Sequence, residues 1–206
     1  MPGFPEGSID LVLTDPPYGL SQKSIKGDES FEAYEKSLPL IHRILKEDKW
    51  FITFAPIGAV HKIIELTEPF FEYSWLGFIY YRNRQKFTHC PIGKTKISLF
   101  VCFKKGNPKR NQFMPDVLEF LYDRYDQKPL HPASKPLKPI ISIIKFASKL
   151  GDTILDPFCG SGTTCMGAKI SNRDYIGIEI DPKYAGVAKI RVETGSKNLK
   201  RVFNRD

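Results

Sequence analysis

The stretch GDTILDPFCGSGTT, residues 151–164, reads as a short buried strand, a glycine-rich loop and the beginning of a helix. The strand ends in Asp156. Gly160 and Gly162 follow where the backbone must turn tightly and approach a ligand. Thr163 begins the helix, whose N-terminus favours negative charge. This order is typical of parallel-sheet folds that bind nucleotides.

The next predicted strand, DYIGIEI at 174–180, strengthens this interpretation. It brings Glu179 twenty-three residues after Asp156, near the spacing at which nucleotide-binding folds place an acid on ribose hydroxyls. A glycine-rich turn alone can be merely structural, but the ordered set of strand, acid, loop, helix and second acid favours a nucleoside cofactor. The loop lacks the G-K-[ST] of a P-loop, which argues against ATP hydrolysis.

Outward from this stretch, apolar runs that read as strands alternate with segments of helical periodicity. The predicted strands cover residues 9–14, 50–55, 73–81, 96–103, 153–157 and 174–180, with a further strand signal at 116–121. The predicted helices cover 31–48, 58–66, 136–150, a segment from about residue 163, and 182–193. We expect Pro39 to kink or split the first helix. Two β-α-β units with apolar strands predict an α/β fold, a mainly parallel twisted sheet with helices on both faces.

Composition narrows the function classes. The 206 residues carry a net charge of +8 and 41% are hydrophobic, which fits one globular domain. No apolar run reaches the ~18 residues of a membrane span and no signal segment is seen, so we expect a cytoplasmic protein. The cysteines lack zinc-ligand spacing, so we expect reduced thiols and no metal. The net positive charge is compatible with a polyanionic partner, but it does not indicate one unless a site with suitable chemistry is also present.

A second polar group ends the first predicted strand, in LVLTDPPYG at residues 11–19. Asp15-Pro16-Pro17-Tyr18 and the loop from Asp156 to Gly162 resemble the catalytic and cofactor motifs of the S-adenosylmethionine-dependent amino-methyltransferases that act on DNA. HPASKPLKPI, residues 131–140, looks like the segment that precedes the cofactor loop in that family. The catalytic motif comes first, as in the permuted beta group, and the resemblance covers residues 8–193.

The resemblance implies a Rossmann-like methyltransferase fold and methyl transfer to the exocyclic amine of a flipped base. The catalytic residues would be Asp15, Pro16, Pro17 and Tyr18. The Asp15 carboxylate would accept one N–H of the amine and the Pro16 carbonyl the other, while Tyr18 would stack on the base. Proline fixes φ and therefore the direction of that carbonyl. An Asp at the first position favours adenine, since cytosine-directed relatives more often carry Ser there.

By the same resemblance, the loop would hold the methionine part of S-adenosylmethionine and Glu179 the ribose. The cofactor-binding residues would be Asp156, Pro157, Phe158, Cys159, Gly160, Ser161, Gly162, Thr163, Glu179 and Lys135. Lys135 could equally be a solvated lysine at the start of a helix, and His131 a turn residue. Cytosine ring-carbon methyltransferases need a nucleophilic cysteine, commonly beside a proline. Cys90 precedes Pro91 but lies outside any matching motif, so we give it no catalytic role.

Double-stranded DNA is the expected partner. Basic residues on two predicted loops are the candidates for phosphate contacts: Arg82, Arg84, Lys86, Lys109 and Arg110, with Lys104 and Lys105 beside the second pair. These two clusters could flank one groove, although a charge run is more often a solvated face.

We expect a single domain, with a catalytic half at about 8–103, a short connector and target-recognition segment at 104–130, and a cofactor half at 131–193. Family members usually have an upstream strand ending in Gly-Asp, and we expect that Met1 to Ser8 cannot form it. An alternative is therefore a truncated, non-catalytic relative that binds DNA or a partner subunit. Methylation of RNA or a protein amide is a further alternative, which the motif order disfavours. Family members often pair, so a homodimer is also expected.

Overall fold

The computed structural model describes residues 3–18, 30–83, 86–87, 94–121 and 135–195. The elements in chain order are β1 (Ile9–Thr14), α1 (Glu32–Ile44), β2 (Leu45–Ala55), a 3-10 turn (Ile57–Ala59), α2 (Val60–Thr67), β3 (Glu72–Tyr81), β4 (Lys86–Phe87), β5 (Lys94–Thr95), β6 (Ile97–Lys105), β7 (Val117–Phe120), α3 (Leu137–Ala147), β8 (Thr153–Asp156), α4 (Thr163–Ile170), β9 (Asp174–Gly177) and α5 (Pro182–Thr194). Strand β9 is shorter than predicted.

Seven strands form one mixed sheet in the order β7-β3-β6-β2-β1-β8-β9. Strand β6 runs antiparallel to both of its neighbours, and the other neighbouring pairs are parallel. Strands β4 and β5 form a separate two-stranded ladder within the predicted basic loop. Because β1 pairs with β8, the predicted catalytic and cofactor halves share one sheet. The α/β class and the mainly parallel sheet are confirmed.

Both faces of the sheet are covered. In β1, Leu11 and Leu13 are fully buried with the apolar side of α3, including Ile143. Val12 is buried on the other face with α1 and α2, including Ile41. Burying each such side chain stabilises the fold by about 2 kcal/mol. This two-sided burial explains why the strand is a continuous apolar run.

Helix α1 runs through Pro39 without a break, so Pro39 does not split the helix, and a kink at this position stays a prediction. Pro39 lies on the exposed side, where water can bond the carbonyl that the missing N–H leaves without a partner. The opposite side buries Tyr34, Leu38 and Ile41 completely. Packing of this stripe on the sheet outweighs the local cost of the proline.

Residues 45–48, predicted as helix, begin β2 instead. Leu45 is fully buried and pairs with Ile9 of β1. The Lys105 ammonium donates hydrogen bonds of 2.9 Å to the carbonyls of Leu45 and His42. These tertiary contacts decide the segment against its helical propensity.

Asp10 fixes the amino end of β1 between its neighbours. Its carboxylate accepts hydrogen bonds from Lys46 at 2.9 Å and from the Thr153 N–H at 3.1 Å, and it pairs with Lys49 at 3.0 Å. Burial raises the pKa of Asp10, but these donors outweigh it and the pKa lies below its usual value. The strand is thereby anchored at the end opposite Asp15. Within the described ranges, no helix has the length and apolarity to cross a membrane.

Candidate active site

The two predicted motifs meet at one edge of the sheet. Asp15 follows β1, and Asp156 ends β8, its parallel neighbour. Because parallel strands open their carboxyl ends on the same edge, the two acids come together there. The Thr14 hydroxyl joins the motifs directly by donating a 2.7 Å hydrogen bond to Asp156 Oδ1.

Both carboxylate oxygens of Asp15 are engaged by neighbouring side chains. The Tyr18 hydroxyl donates to Oδ1 at 2.5 Å, and the Lys135 ammonium donates to Oδ2. Lys135 also lies 4.6 Å from the centroid of the Phe54 ring, a cation–π contact. The Asp15 and Lys135 side chains are 21% and 14% exposed. Lys135 is therefore not a solvated lysine, and it belongs to the catalytic motif as much as to the cofactor segment.

Tyr18 is a hydroxyl donor in this arrangement. Burial, followed by the charge of Asp15, raises its pKa well above the usual value, so the hydroxyl stays protonated. Its ring contacts the apolar core on both faces of the sheet. Stacking of a base on Tyr18 stays a prediction.

Asp156 is a buried acid, and among the described residues none of the groups that contact it is cationic. It accepts hydrogen bonds from the hydroxyls of Thr14 and Thr164 and from the Phe158 N–H at 3.1 Å. Burial raises its pKa to about 6, although these three donors oppose the shift. The side chain fixes the start of the loop from inside the fold.

The loop between β8 and α4 has the glycine geometry that the sequence predicts. Gly160 and Gly162 have φ of +50° and +76°. A Cβ on Gly162 would come within 2.9 Å of Cβ of Ala188 in α5, so this glycine permits close helix packing. Around the corresponding position on Gly160 there is open space within 4 Å. A ligand can therefore approach the backbone at Gly160, as a cofactor-binding loop requires.

Glu179 is tied to this loop by its carboxylate. Oε2 accepts the Gly160 N–H at 2.8 Å, and Oε1 accepts the Asp181 N–H at 2.9 Å. A carboxylate has about four acceptor sites, so capacity remains for ligand hydroxyls. The next residue, Ile180, is 81% exposed and gives an apolar surface beside the acid.

A cavity of about 60 Å³ opens between the two motifs. It is lined by Asp15, Lys135 and the predicted loop residues Asp156, Phe158, Cys159, Gly160, Ser161 and Thr163, together with Thr14, Phe54, Ile140 and Thr164. Pro157, Gly162 and Glu179 lie outside the lining. An open glycine loop, a helix N-terminus and an acid for hydroxyls fit a nucleoside cofactor.

The thiols beside the loop are suited to packing rather than to nucleophilic chemistry. Both Cys159 and Cys165 have their sulfur within 2.9 Å of the place that a Cβ on Gly177 would take. The adjacent Cys165 thiol and burial raise the pKa of Cys159. Cys90 lies outside the described residues. Among those described, no group of three or more His, Cys, Asp or Glu side chains could hold a metal ion.

The sequence analysis did not name Thr14, Phe54, Ile140 and Thr164 of the cavity lining, nor Ile180 and Arg191 beside the loop. Thr14 ends the predicted strand 9–14, and Phe54 is the last residue but one of the predicted strand 50–55, so both positions lie near the carboxyl end of a strand. Ile180 was placed inside a strand. Arg191 had no local signal, yet it donates hydrogen bonds of 3.0 Å to the Ser161 carbonyl and the Thr163 hydroxyl, joining α5 to the loop.

Among the basic candidates for DNA contact whose side chains the structure describes, Arg82 lies at one edge of the sheet, and Lys109 and Arg110 lie at the opposite edge. Arg82 follows β3 at the same edge as Asp15, but it lies three strands across the sheet and six residues beyond Leu76, the β3 residue in register with Thr14. Its guanidinium is 3.7 Å from Glu119. At the far end the backbone carbonyl of Lys109 accepts a hydrogen bond from Trp50 Nε1–H, and the Arg110 guanidinium lies 4.1 Å from the centroid of the Phe113 ring.

Arg82 and the pair of Lys109 and Arg110 are therefore separated along β6, whose nine residues span about 27 Å. Lys104 and Lys105 end β6 at the far edge. DNA contact by each basic residue stays a prediction. Arg84 and His131 lie outside the described residues, and only the backbone of Lys86 is described.

Known proteins resemble this chain over most of its length. It is 29% identical to the type II methyltransferase M.HpaI of Haemophilus parainfluenzae, over 92% of this chain and 69% of that protein. It is 28% identical to the type II methyltransferase M2.DpnII of Streptococcus pneumoniae, over 90% of this chain and 83% of that protein.

Solved structures share the fold. The PvuII DNA methyltransferase, described as cytosine-N4-specific, superposes with a TM-score of 0.73 at 22% identity, covering 92% of this chain and 81% of that one. The complex of M1.HpyAVI with S-adenosylmethionine gives a TM-score of 0.68 at 21% identity, covering 90% and 89%.

The family model of DNA methylases that act at N6 or N4 matches residues 9–189. This range contains Asp15 to Tyr18, Lys135, the Gly160 loop and Glu179. The resemblance carried by the motifs is confirmed, and S-adenosylmethionine, the methyl donor of this family, is the cofactor. The chain belongs to the N6/N4 DNA methylase family.

Proposed function

We propose that this chain transfers a methyl group from S-adenosylmethionine to the exocyclic amine of a base flipped out of a specific DNA site, with adenine preferred. The observation that carries the proposal is the meeting of Asp15 with the Gly160 loop at one cavity, joined by the bond from Thr14 to Asp156. A carboxylate for the amine and a loop for the methyl donor stand side by side.

The protein must position the exocyclic amine of the target base, which is a poor nucleophile. The lone pair of an exocyclic amine is delocalised into the base, so the amine needs acceptors that hold both N–H groups while its nitrogen becomes tetrahedral. Asp15 accepts one N–H and the Pro16 carbonyl accepts the other. The short chain from Asp15 to Tyr18, with its two prolines, keeps these acceptors in a fixed direction.

The cofactor supplies an electrophilic methyl group on a sulfonium. The loop around Gly160 would hold the methionine part of the cofactor, and Glu179 would bind its ribose hydroxyls. Lys135 would bind a charged group of the cofactor beside the catalytic motif. The oxygens of Glu179 already accept the N–H groups of Gly160 and Asp181, so the acid is tied to the loop by a direct hydrogen bond.

Adenine is preferred because Asp occupies the first motif position. Flipping is required because the amine of a paired base is stacked inside the duplex and cannot reach the end of β1.

Arg82, at the edge that carries Asp15, is the best placed described residue for a phosphate contact. Lys109 and Arg110 would contact a duplex only where it extends past the far edge of the sheet.

The experiment is transfer of labelled methyl from S-adenosylmethionine into unmethylated DNA, followed by digestion and chromatography of the labelled nucleoside. We expect 6-methyladenine, with 4-methylcytosine overturning the choice of base. Asp15→Ala should abolish transfer, and Glu68→Ala, which removes an exposed acid, should not. Absence of label from the folded protein would favour the non-catalytic DNA-binding alternative.

A further inference from the structure

Each carboxylate oxygen of Asp15, the acceptor that the proposed reaction needs, already accepts a hydrogen bond from a side chain of the site. The Lys135 ammonium bonds Oδ2 of Asp15, and the Tyr18 hydroxyl bonds Oδ1. The ammonium of Lys135 adds the attraction of a full positive charge to its hydrogen bond with Asp15, which a neutral base amine does not bring. Because Lys135 and Asp15 both line the cavity, the ammonium also stands on the side of Asp15 from which the amine would approach.

Lys135 is also the one cationic side chain among the described residues that line the cavity. The same lining holds two acids, Asp15 and Asp156. S-adenosylmethionine brings a carboxylate of its own on its methionine part. Electrostatic complementarity in this cavity therefore assigns that carboxylate to the side of Lys135.

The position of Lys135 allows it to serve two partners. The following Pro136 caps α3 with an extended backbone, φ −69° and ψ 140°, and a residue before proline is itself held extended. The backbone is therefore fixed, while the four-carbon stem can swing its ammonium within the cavity. The Phe54 ring, 4.6 Å from the ammonium, is a surface against which a cation can move.

We propose that Lys135 pairs with Asp15 before the cofactor binds and with the cofactor carboxylate afterwards. Cofactor binding thereby releases Asp15 to accept the target amine, so that the protein prepares for a base only when the methyl donor is present. This inference rests on the proposed function, because it gives Asp15 and the cavity the roles argued above.

The test is a double-mutant cycle read by calorimetric binding rather than by activity. The full chain, Asp15→Asn, Lys135→Met and the double variant are titrated with S-adenosylhomocysteine, which has the carboxylate. They are also titrated with 5′-methylthioadenosine, which lacks the amino-acid part. Lys138→Met, which alters an exposed lysine in the first turn of α3, is the matched control.

Asp15→Asn should tighten S-adenosylhomocysteine binding by about fivefold, the size of a partly exposed ion pair, because Lys135 no longer has to leave Asp15. In the Lys135→Met background the same change should alter the dissociation constant by less than about twofold. Binding of 5′-methylthioadenosine should not respond to Asp15→Asn.

An equal gain from Asp15→Asn in both backgrounds would show simple charge repulsion and overturn the exchange. So would an unchanged dissociation constant in Asp15→Asn. Lys135→Gln repeats the cycle if the Met variant does not fold, as judged by its circular dichroism and melting curve. If the folded natural chain binds neither nucleoside, the proposed function itself fails, whereas binding without coupling overturns the exchange alone.

Discussion

The hydroxyl of Thr14 donates a 2.7 Å hydrogen bond to the buried carboxyl of Asp156, across 142 residues of sequence. Thr14 directly precedes Asp15, and Asp156 directly precedes the cofactor loop. The bond therefore fixes the distance between the residue that would hold the amine and the loop that would hold the methyl donor. In-line transfer depends on such a distance, because small misplacements of reacting groups are costly.

Replacing Thr14 by Val keeps the shape of the side chain and removes this donor. We expect the free energy of unfolding to fall by about 2 kcal/mol at pH 7.5, because the buried Asp156 loses a hydrogen bond that it cannot replace with water. Urea unfolding measures the change. Thr14→Ser retains the hydroxyl and should recover most of the loss, and equal stability of the Val and Ser variants would contradict this role.

Glu179→Ala should weaken cofactor binding by about 1.5 to 3 kcal/mol, the size of a charge-assisted hydrogen bond. Two effects act together, since the variant loses an acceptor for the ribose and releases the Gly160 N–H. Titration with S-adenosylhomocysteine measures it, with Glu193→Ala, an exposed acid of α5, as the control. An unchanged dissociation constant would refute the assignment.

Arg191→Met should weaken the attachment of α5 to the loop between β8 and α4. The variant keeps the apolar stem and removes the donor to the Ser161 carbonyl and the Thr163 hydroxyl. We expect cofactor binding to weaken by about 1 to 2 kcal/mol while Lys189→Met, on the exposed side of the same helix, has no effect. Faster amide exchange at residues 160–163 in the Arg191 variant alone would locate the change, and uniform exchange in both variants would argue against it.

The sequence predicted correctly that the polar motifs after Thr14 and after Asp156 follow the ends of buried strands. Prolines after Thr14 and glycines after Asp156 impose local backbone geometry, which does not depend on the rest of the fold. The positions of both motifs and the order of most elements were therefore predictable.

Pairings between distant residues were not predictable. Residues 45–48 are strand because Ile9 and Lys105 contact them, and no local pattern records those contacts. The pairing of Lys135 with Asp15, and the separation of Arg110 from Arg82, depend on which strand lies beside which. The sequence pattern predicted loops at Arg82 and Arg110, but it contained no signal that β6 would separate these two positions.

The carboxyl of Asp156 should make stability depend on pH between about 4 and 6. Below this window the group is protonated in both the folded and the unfolded chain, so it has no effect. As the pH rises, the unfolded chain releases the proton near pH 3.8 while the folded protein keeps it up to about 6. The folded state is therefore destabilised as the pH rises through the window, by about 3 kcal/mol at most.

Asp156→Asn removes this titration. We expect the stability of the natural chain relative to the Asn variant to be highest at pH 4, to fall up to pH 6 and to remain constant above that. Urea unfolding of both proteins at half-unit pH intervals measures the difference, in which the titrations of other groups cancel. A difference that rises with pH would mean that Asp156 is stabilised as a carboxylate, with the donors from Thr14, Thr164 and Phe158 outweighing burial.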